Sequence, residues 1–388
     1  MPVQGVQERP ELAPEVSIGG FAEEVFKSLP RADQRRWAAA YLRGLLVMPG
    51  RKVPQHLAVT VPDPHTATHS LRRFVNSSPW DWSAPREALA CMAAEALPVQ
   101  AWTIGAAVIP KRGSHSVGVH RRFDADAGRV RNCQMGVGLF LASHAWSLPV
   151  DWQIAIDRVW SGDAERRRRS RLPHGVVEQP LWAYALELID RLAAARPADR
   201  TPVVAGACDP ADVTQLAAAL TRRGMDFLIQ VSPGQPVVPL SGPDSGPLGA
   251  EQCLRRHGRR YPFPAMASSQ PPAPRSALGS TLVRLPSGRH GVARARSVYR
   301  LWWQQGKSER ATNRLWFTSL TGAGPGECLS LLRHLSVTRA AVRRLSEDFG
   351  LRDFEGRSYP GWHHHMTLVS AAYAYRCLAG ATRRAEPA

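Results

Sequence analysis

The hydrophobic period of this chain changes near residue 100, and that change limits the folds open to it more than any other feature. Before it, apolar residues recur at helical spacing. In RADQRRWAAAYLRGLLV (31–47), Trp37, Tyr41, Leu42, Leu45 and Leu46 share one stripe, with Asp33 as a cap. SLRRFVNSSPWDWSAPREALACMAAEAL (70–97) reads as two further helices broken by Pro79 and Pro85. After it, WTIGAAVIP, HSVGVHRRF, NCQMGVGLFLAS and PVDWQIAI are short β-prone runs separated by Gly, Asp and Asn turns. A helix at 180–195, a buried strand TPVVAGA, a helix ADVTQLAAALTRRG and a strand DFLIQVS follow. Consecutive strands, then alternating helix and strand, predict a mixed α/β sheet flanked by helices.

The rest of the chain falls into place around that sheet. Residues 1–20 read as a flexible lead and 21–98 as a helical domain with Arg on its outer faces. Residues 99–231 form the first portion of the sheet domain, and 232–320 an insertion whose Pro/Gly/Ser-rich stretches are loop, with strands at 281–304 and 314–320. Residues 321–380 are predicted to be helices that complete the sheet domain. No internal repeat is present.

Charge points to a partner. The sequence has 50 Lys and Arg against 32 Asp and Glu, a formal +18, which favours a polyanion: nucleic acid first, an anionic membrane surface second. Lys stands only at Lys27, Lys52, Lys111 and Lys307, so Arg carries the charge; an Arg- and Ala-heavy composition also accompanies GC-rich coding. Neither a secretory leader nor a run of about 20 apolar residues is found. Cys91, Cys133, Cys208, Cys253, Cys328 and Cys377 form no Cys-x-x-Cys pair and read as reduced thiols of a cytoplasmic protein, not as disulfides or a zinc site.

The first strand poses a question. AWTIGAAVIPKRG (101–113) reads as a buried strand running into a basic turn; strands so placed often carry an acidic residue that opens a catalytic pocket, yet here the middle is Gly105-Ala106-Ala107. The strings WAAAYLRGLL, SPWDW, PKRGSHSVGV, NCQMGVG, PVDW and GLRDFEGRSYPGWHHHMTLV, in this order from about 33 to 378, resemble the DDE-type transposases of bacterial insertion sequences. That resemblance implies a ribonuclease-H-like mixed sheet flanked by helices, with an N-terminal helical domain and a Pro/Gly-rich insertion. It also implies DNA cleavage and joining by two Mg²⁺ ions about 4 Å apart, held by two Asp and one Glu. Registered on Pro110-Lys111-Arg112-Gly113, the first acids of the family fall at Gly105 and Ala106. Registered on Val203-Val204-Ala205, the second falls at Gly206. Counting back from Phe354-Glu355-Gly356-Arg357, the Glu falls at Arg339 and a family Lys at Ser346. The acids of the metal site are therefore expected to be absent, no cofactor is expected, and Arg339 stands where a metal ligand would.

Other residues stay open to two readings. Asp209, Asp212 and Glu355 are weak candidates for a displaced Mg²⁺ site; the plainer reading gives Asp209 and Asp212 to a turn and helix cap, and Glu355 to an ion pair with Arg357 or another basic neighbour. His363, His364 and His365 cannot converge on one ion from a helix, since successive residues diverge by about 100°; one could contact phosphate and another pack inward. Lys111, Arg112, Arg121, Arg122, Arg166, Arg167, Arg168, Arg169 and Arg357 are candidate phosphate contacts, the alternative being a solvated face or, for the Arg run, a loop. Trp80, Trp82, Trp302, Trp303 and Trp316 fit packing better than base stacking. Arg35, Arg36 and Arg43 could lie on a groove-binding helix. The reading that joins these is a cytoplasmic, nucleoid-associated, catalytically inactive transposase relative that binds double-stranded DNA as a regulator or structural factor, without membrane contact and with a homodimer or other protein partner open. The alternatives are an active strand-transfer enzyme with displaced carboxylates, and an element remnant or protein-interaction scaffold.

Overall fold

In this computed structural model the described residues open on a helix capped by Ser17, whose hydroxyl accepts from the Gly20 N–H at 3.0 Å. The structure describes residues 17–124, 127–206, 209–240, 246–261, 278–286, 297–304 and 314–385, the last five as backbone only. Most of the lead and much of the Pro/Gly-rich insertion lie outside the described residues. The chain divides into a helical unit, residues 1–96 with 344–388, and a sheet unit, residues 97–343.

Five helices come first: α1 (Ile18–Phe26), α2 (Ala32–Val47), α3 (Pro54–Leu57), α4 (Pro64–Asn76) and α5 (Ser83–Ala96). Residues 18–20 are thus helical, where a flexible lead to residue 20 was expected. In α2 Tyr41, Leu42, Leu45 and Leu46 of the stripe are buried, while Trp37 is half-buried with the Arg36 guanidinium over its ring at 5.0 Å; Ala38 is buried instead, and Arg35, Arg36 and Arg43 are exposed. Asp33 is not the cap: it sits in the first turn and accepts from the Arg31 Nε at 2.9 Å. Pro85 does not break its helix either; it lies in the first turn of α5, where a backbone N–H has no partner to lose.

The sheet unit opens with β1 (Ala101–Pro110), β2 (His120–Asp124), β3 (Arg129–Ala142) and β4 (Ser147–Ile154), then α6 (Arg158–Gly162), α7 (Ala164–Ser170) and α8 (Leu181–Ala195). It continues with β5 (Val203–Ala205), α9 (Pro210–Arg222), β6 (Phe227–Val231), β7 (Pro236–Pro239), β8 (Leu248–Gly249) and α10 (Ala250–His257). The insertion adds β9 (Arg259–Tyr261), β10 (Leu278–Arg284), β11 (Tyr299–Gln304) and β12 (Arg314–Thr318) before α11 (Pro325–Glu347). HSVGV was expected as strand, but only His120 onward pairs: Gly118 has φ +67°, which turns the chain and leaves Val117 and Val119 buried outside the ladder.

Strand order is β2–β3–β1–β5–β6–β12–β11–β10–β7–β8, with β4 also on β3 and β9 on β10. β3 runs antiparallel to β1 and to β4, while β1, β5 and β6 are parallel. The set β4–β3–β1–β5–β6 is a ribonuclease-H-like α/β sheet, and the insertion strands extend it antiparallel from β6. Its core joins Ala101, Ala142, Val204, Leu228, Trp302 and Trp316 to Cys328, Leu331 and Leu335 of α11. Burial of these apolar faces supplies the main stabilising term, at about 25 cal/mol per Å².

The last helix, α12 (Tyr359–Ala385), was expected to complete the sheet domain but belongs to the helical unit. It is buried almost all round from Tyr359 to Tyr375, which makes it the central helix of that unit, packed by α1, α2, α4 and α5.

Candidate functional site

The parallel register places Ile104 beside Ala205, so Gly105, in the middle of β1, and Gly206, just past the end of β5, follow that pair. Gly105 is buried, on the face of β1 that carries Thr103 and meets α11. A Cβ there would stand 2.7 Å from Phe140 Cε2 and 3.2 Å from Thr338 Cγ2, distances no side chain tolerates without movement. Its cross-strand partner Gly138 is closed in the same way, with Trp152 at 2.8 Å and Phe140 at 2.9 Å. The Phe140 and Trp152 rings meet edge-on, centroids 5.4 Å apart. Two glycines and two aromatic rings thus fill the space in which a carboxylate on this face of β1 would stand. Gly206 is different: a Cβ there meets nothing within 4 Å. Ala106 is exposed on the opposite face of the strand.

The residue that α11 presents to β1 is Thr338, not Arg339. Thr338 Oγ1 lies 2.6 Å from Thr103 Oγ1 and 2.7 Å from Ser147 Oγ, and donates to His334 O at 2.9 Å. Arg339, one position and about 100° further round the helix, is exposed. One turn earlier, His334 is buried with Nδ1 3.1 Å from Ser143 O, and burial pushes its pKa down, favouring the neutral ring.

A pair of divalent cations needs converging oxygen ligands. The side chains at Gly105, Ala106, Gly206, Thr338 and Arg339 supply no carboxylate, and the described residues contain no group of three or more His, Cys, Asp or Glu side chains that could hold a metal ion. Asp209 occupies the cap position of α9 and is exposed, with Asp212 in the first turn. Burial, and then the Asp209 charge, push the Asp212 carboxyl upward. Glu355 belongs to the helical unit and pairs with Arg51 at 3.2 Å, not with Arg357, which is exposed.

The three histidines all point inward, which the central position of α12 explains; none is left for phosphate. His363 stacks on Trp82 at 4.5 Å and meets the buried Arg86, whose Nη2 donates to His363 O at 3.0 Å. His364 stacks on Trp80 at 3.9 Å, its ring nitrogens 2.8 Å from Val75 O and 2.9 Å from Trp80 O. His365 bridges the Tyr41 hydroxyl (3.2 Å) and Gly350 O (2.9 Å).

Three of the basic clusters converge on the β2 end of the sheet. Lys111 N donates to Asn132 O at 2.9 Å, across β3 from Arg121, which pairs with Asn132 on the other edge. Trp160 of α6 donates to Val119 O at 2.9 Å, just ahead of β2, and Arg166 lies over its ring at 5.3 Å. The Arg run is helix α7, not loop, with Asp163 as its cap. Arg167 is spent on the carbonyls of Ser161, Pro173 and Val176. Arg168 and Arg169 are exposed and share Glu165, at 2.8 and 2.5 Å. Arg112 and Arg121 are exposed, and Arg122 is half-buried on His120 at 3.1 Å. Of the tryptophans, Trp80, Trp302 and Trp316 are buried, and Trp82 and Trp303 are half-buried. Phe140, Trp152 and Thr338 were missed by sequence reasoning; the Gly136-Val137-Gly138 alternation inside an apolar strand was the available sign of a close approach.

A mixed sheet with antiparallel β4–β3–β1 and parallel β1–β5–β6, a ribonuclease-H-like order, defines the class. Residues 24–297 match the DDE superfamily endonuclease family, and the chain belongs to it. No curated protein matches the chain. Among the described residues no helix is long and apolar enough to cross a membrane.

Proposed function

We propose that this chain binds double-stranded DNA without cutting it, and acts as a regulator or a structural DNA-binding factor of the nucleoid. Family membership makes a transposase-like protein with DNA as its partner the starting point, and the +18 charge agrees with it. The observation that carries the loss of cutting is the Phe140 ring in the space above Gly105, 2.7 Å from where a side chain would begin. A ligand lost by substitution alone leaves a vacant position; here the position is filled by a packed ring, so Mg²⁺ has neither charge nor room on that face of β1.

The test has two halves. Duplex DNA retention in a gel-shift series is expected to fall steeply with salt, because neutralising phosphates releases counterions. Supercoiled plasmid incubated with Mg²⁺ or Mn²⁺ is expected to stay supercoiled. Metal-dependent nicking that Asp209→Asn, Asp212→Asn or Glu355→Gln removes would overturn this reading in favour of displaced carboxylates. Failure to retain duplex even at low salt would overturn the DNA half.

A further inference from the structure

The β2–β3 ribbon carries the most exposed aromatic residue among the described large apolar side chains: Phe123, 62 % exposed, opposite Val130, 51 % exposed. The two share one face of the ribbon with Arg121 and Asn132, by strand alternation and cross-strand register. Arg129, paired with Asp124 on the opposite face, is exposed, and Lys111 and Arg112 emerge where β1 meets Asn132. The other face is fastened down: Arg131 donates to the buried Asp124 at 2.5 Å, and Arg122 to His120.

We propose that this ribbon is a duplex-DNA wedge in which Phe123, backed by Val130, enters a base step while Arg121, on the same face, holds a flanking phosphate. This rests on the DNA-binding reading and adds to it a location and a mode. A two-stranded ribbon is of a size that enters a groove of B-DNA, and a single apolar side chain is enough to unstack a base step. A stable protein interface needs about 800 Å² per partner, far more than two side chains offer, and the cations around the pair favour a polyanion. Along the strand Arg121 and Phe123 are ~7 Å apart, about two base-pair rises of ~3.4 Å. The ion pair with Asp124 keeps the ribbon stiff, so the wedge enters at little cost in ordering.

The experiment uses the full chain and short duplexes carrying 2-aminopurine at successive positions, read by fluorescence and by anisotropy over a range of NaCl. With wild type, emission is expected to rise at one or a few positions as stacking is lost. Phe123→Ala is expected to abolish that rise and weaken binding about 10-fold, with an unchanged salt slope and melting temperature. Arg121→Gln is expected to keep the rise and reduce the salt slope by about one. If wild type binds duplex and Phe123→Ala matches it in affinity and emission, the wedge is overturned and the DNA reading stands. If Phe123→Ala instead dissolves a dimer in sedimentation and leaves DNA affinity intact, the pair is a protein contact and the wedge is overturned. If wild type binds no duplex at low salt, both ideas fall.

Discussion

Adding one methyl group at Gly105 and one at Gly206 should have opposite effects on stability. At Gly105 the new Cβ stands 2.7 Å from Phe140 Cε2 and 3.2 Å from Thr338 Cγ2. Neither neighbour can yield easily: Phe140 is fully buried and Thr338 is held by its hydroxyl contacts. Overpacking of this kind costs about 1–3 kcal/mol, offset by ~0.4–1 kcal/mol because alanine restricts the unfolded chain. The net loss is about 1–2 kcal/mol. At Gly206 nothing lies within 4 Å and the backbone is not in the left-handed region, so only the favourable term remains. The two variants should therefore differ by about 2 kcal/mol, or roughly 4–8 °C in Tm for a unit of this size. Thermal unfolding followed by tryptophan fluorescence reads the difference. Gly105→Ala should also cost less in a Phe140→Leu background, with a coupling of about 0.5–3 kcal/mol. Equal stability of the two alanine variants, with no coupling to Phe140, would mean that the space above Gly105 is open, and the argument against a metal ligand there would fail.

Thr338→Val strips the partner from two buried hydroxyls, Thr103 and Ser147, and should cost ~1–3 kcal/mol in urea unfolding, whereas Arg339→Ala on the exposed side should stay within about 0.5 kcal/mol; equal effects would reverse the helix phase. His334 is held neutral by burial, its folded pKa below the ordinary 6.5. The unfolded state then binds more protons on acidification, so its share of stability is full above pH ~6.5 and declines as pH falls below it. His334→Gln should flatten the stability curve between pH 7 and 5, and an unchanged curve would show that the ring carries no such penalty. Burial pushes the thiols of Cys328 and Cys377 up to about 12 and that of Cys253 to about 11. Residue-resolved mass spectrometry after brief alkylation near pH 8 should find the exposed Cys91 modified well ahead of these three; equal labelling would contradict their burial.

The alternation of α8, β5, α9 and β6 was legible because each element is long or apolar enough to show its own period. Three features were not. Val117 and Val119 read as strand residues because they are buried, but what buries them includes α6, whose Trp160 bonds Val119 O; burial and pairing leave the same mark on a sequence. The tail from Tyr359 could serve either unit, since a helix apolar all round shows no face that names its partner. The choice of Arg339 over Thr338 came from counting residues across a turn, and an error of one position rotates a helix by about 100°. The site was legible as an absence, at Gly105 and Gly206, but not as a filling. Phe140 lies far along the chain from Gly105 and reaches it only through the register that sets Gly105 against Gly138. Charge runs behaved likewise: Arg167 is indistinguishable in sequence from Arg168, yet one ties down three carbonyls and the other faces solvent.

The two ends of the helical unit, residues 1–96 and 344–388, have a consequence for biosynthesis. The ribosome releases α1 to α5 long before α12, the rod they enclose. At ~5–20 residues per second, the early helices wait on the order of ten seconds or more with Tyr41, Leu45, Phe74 and Trp80 lacking the surface that later covers them. A nascent chain stalled in the insertion would hold an assembled β1–β3 hairpin beside an unfinished bundle. Such a product is a natural client for chaperones that bind apolar segments at the exit tunnel.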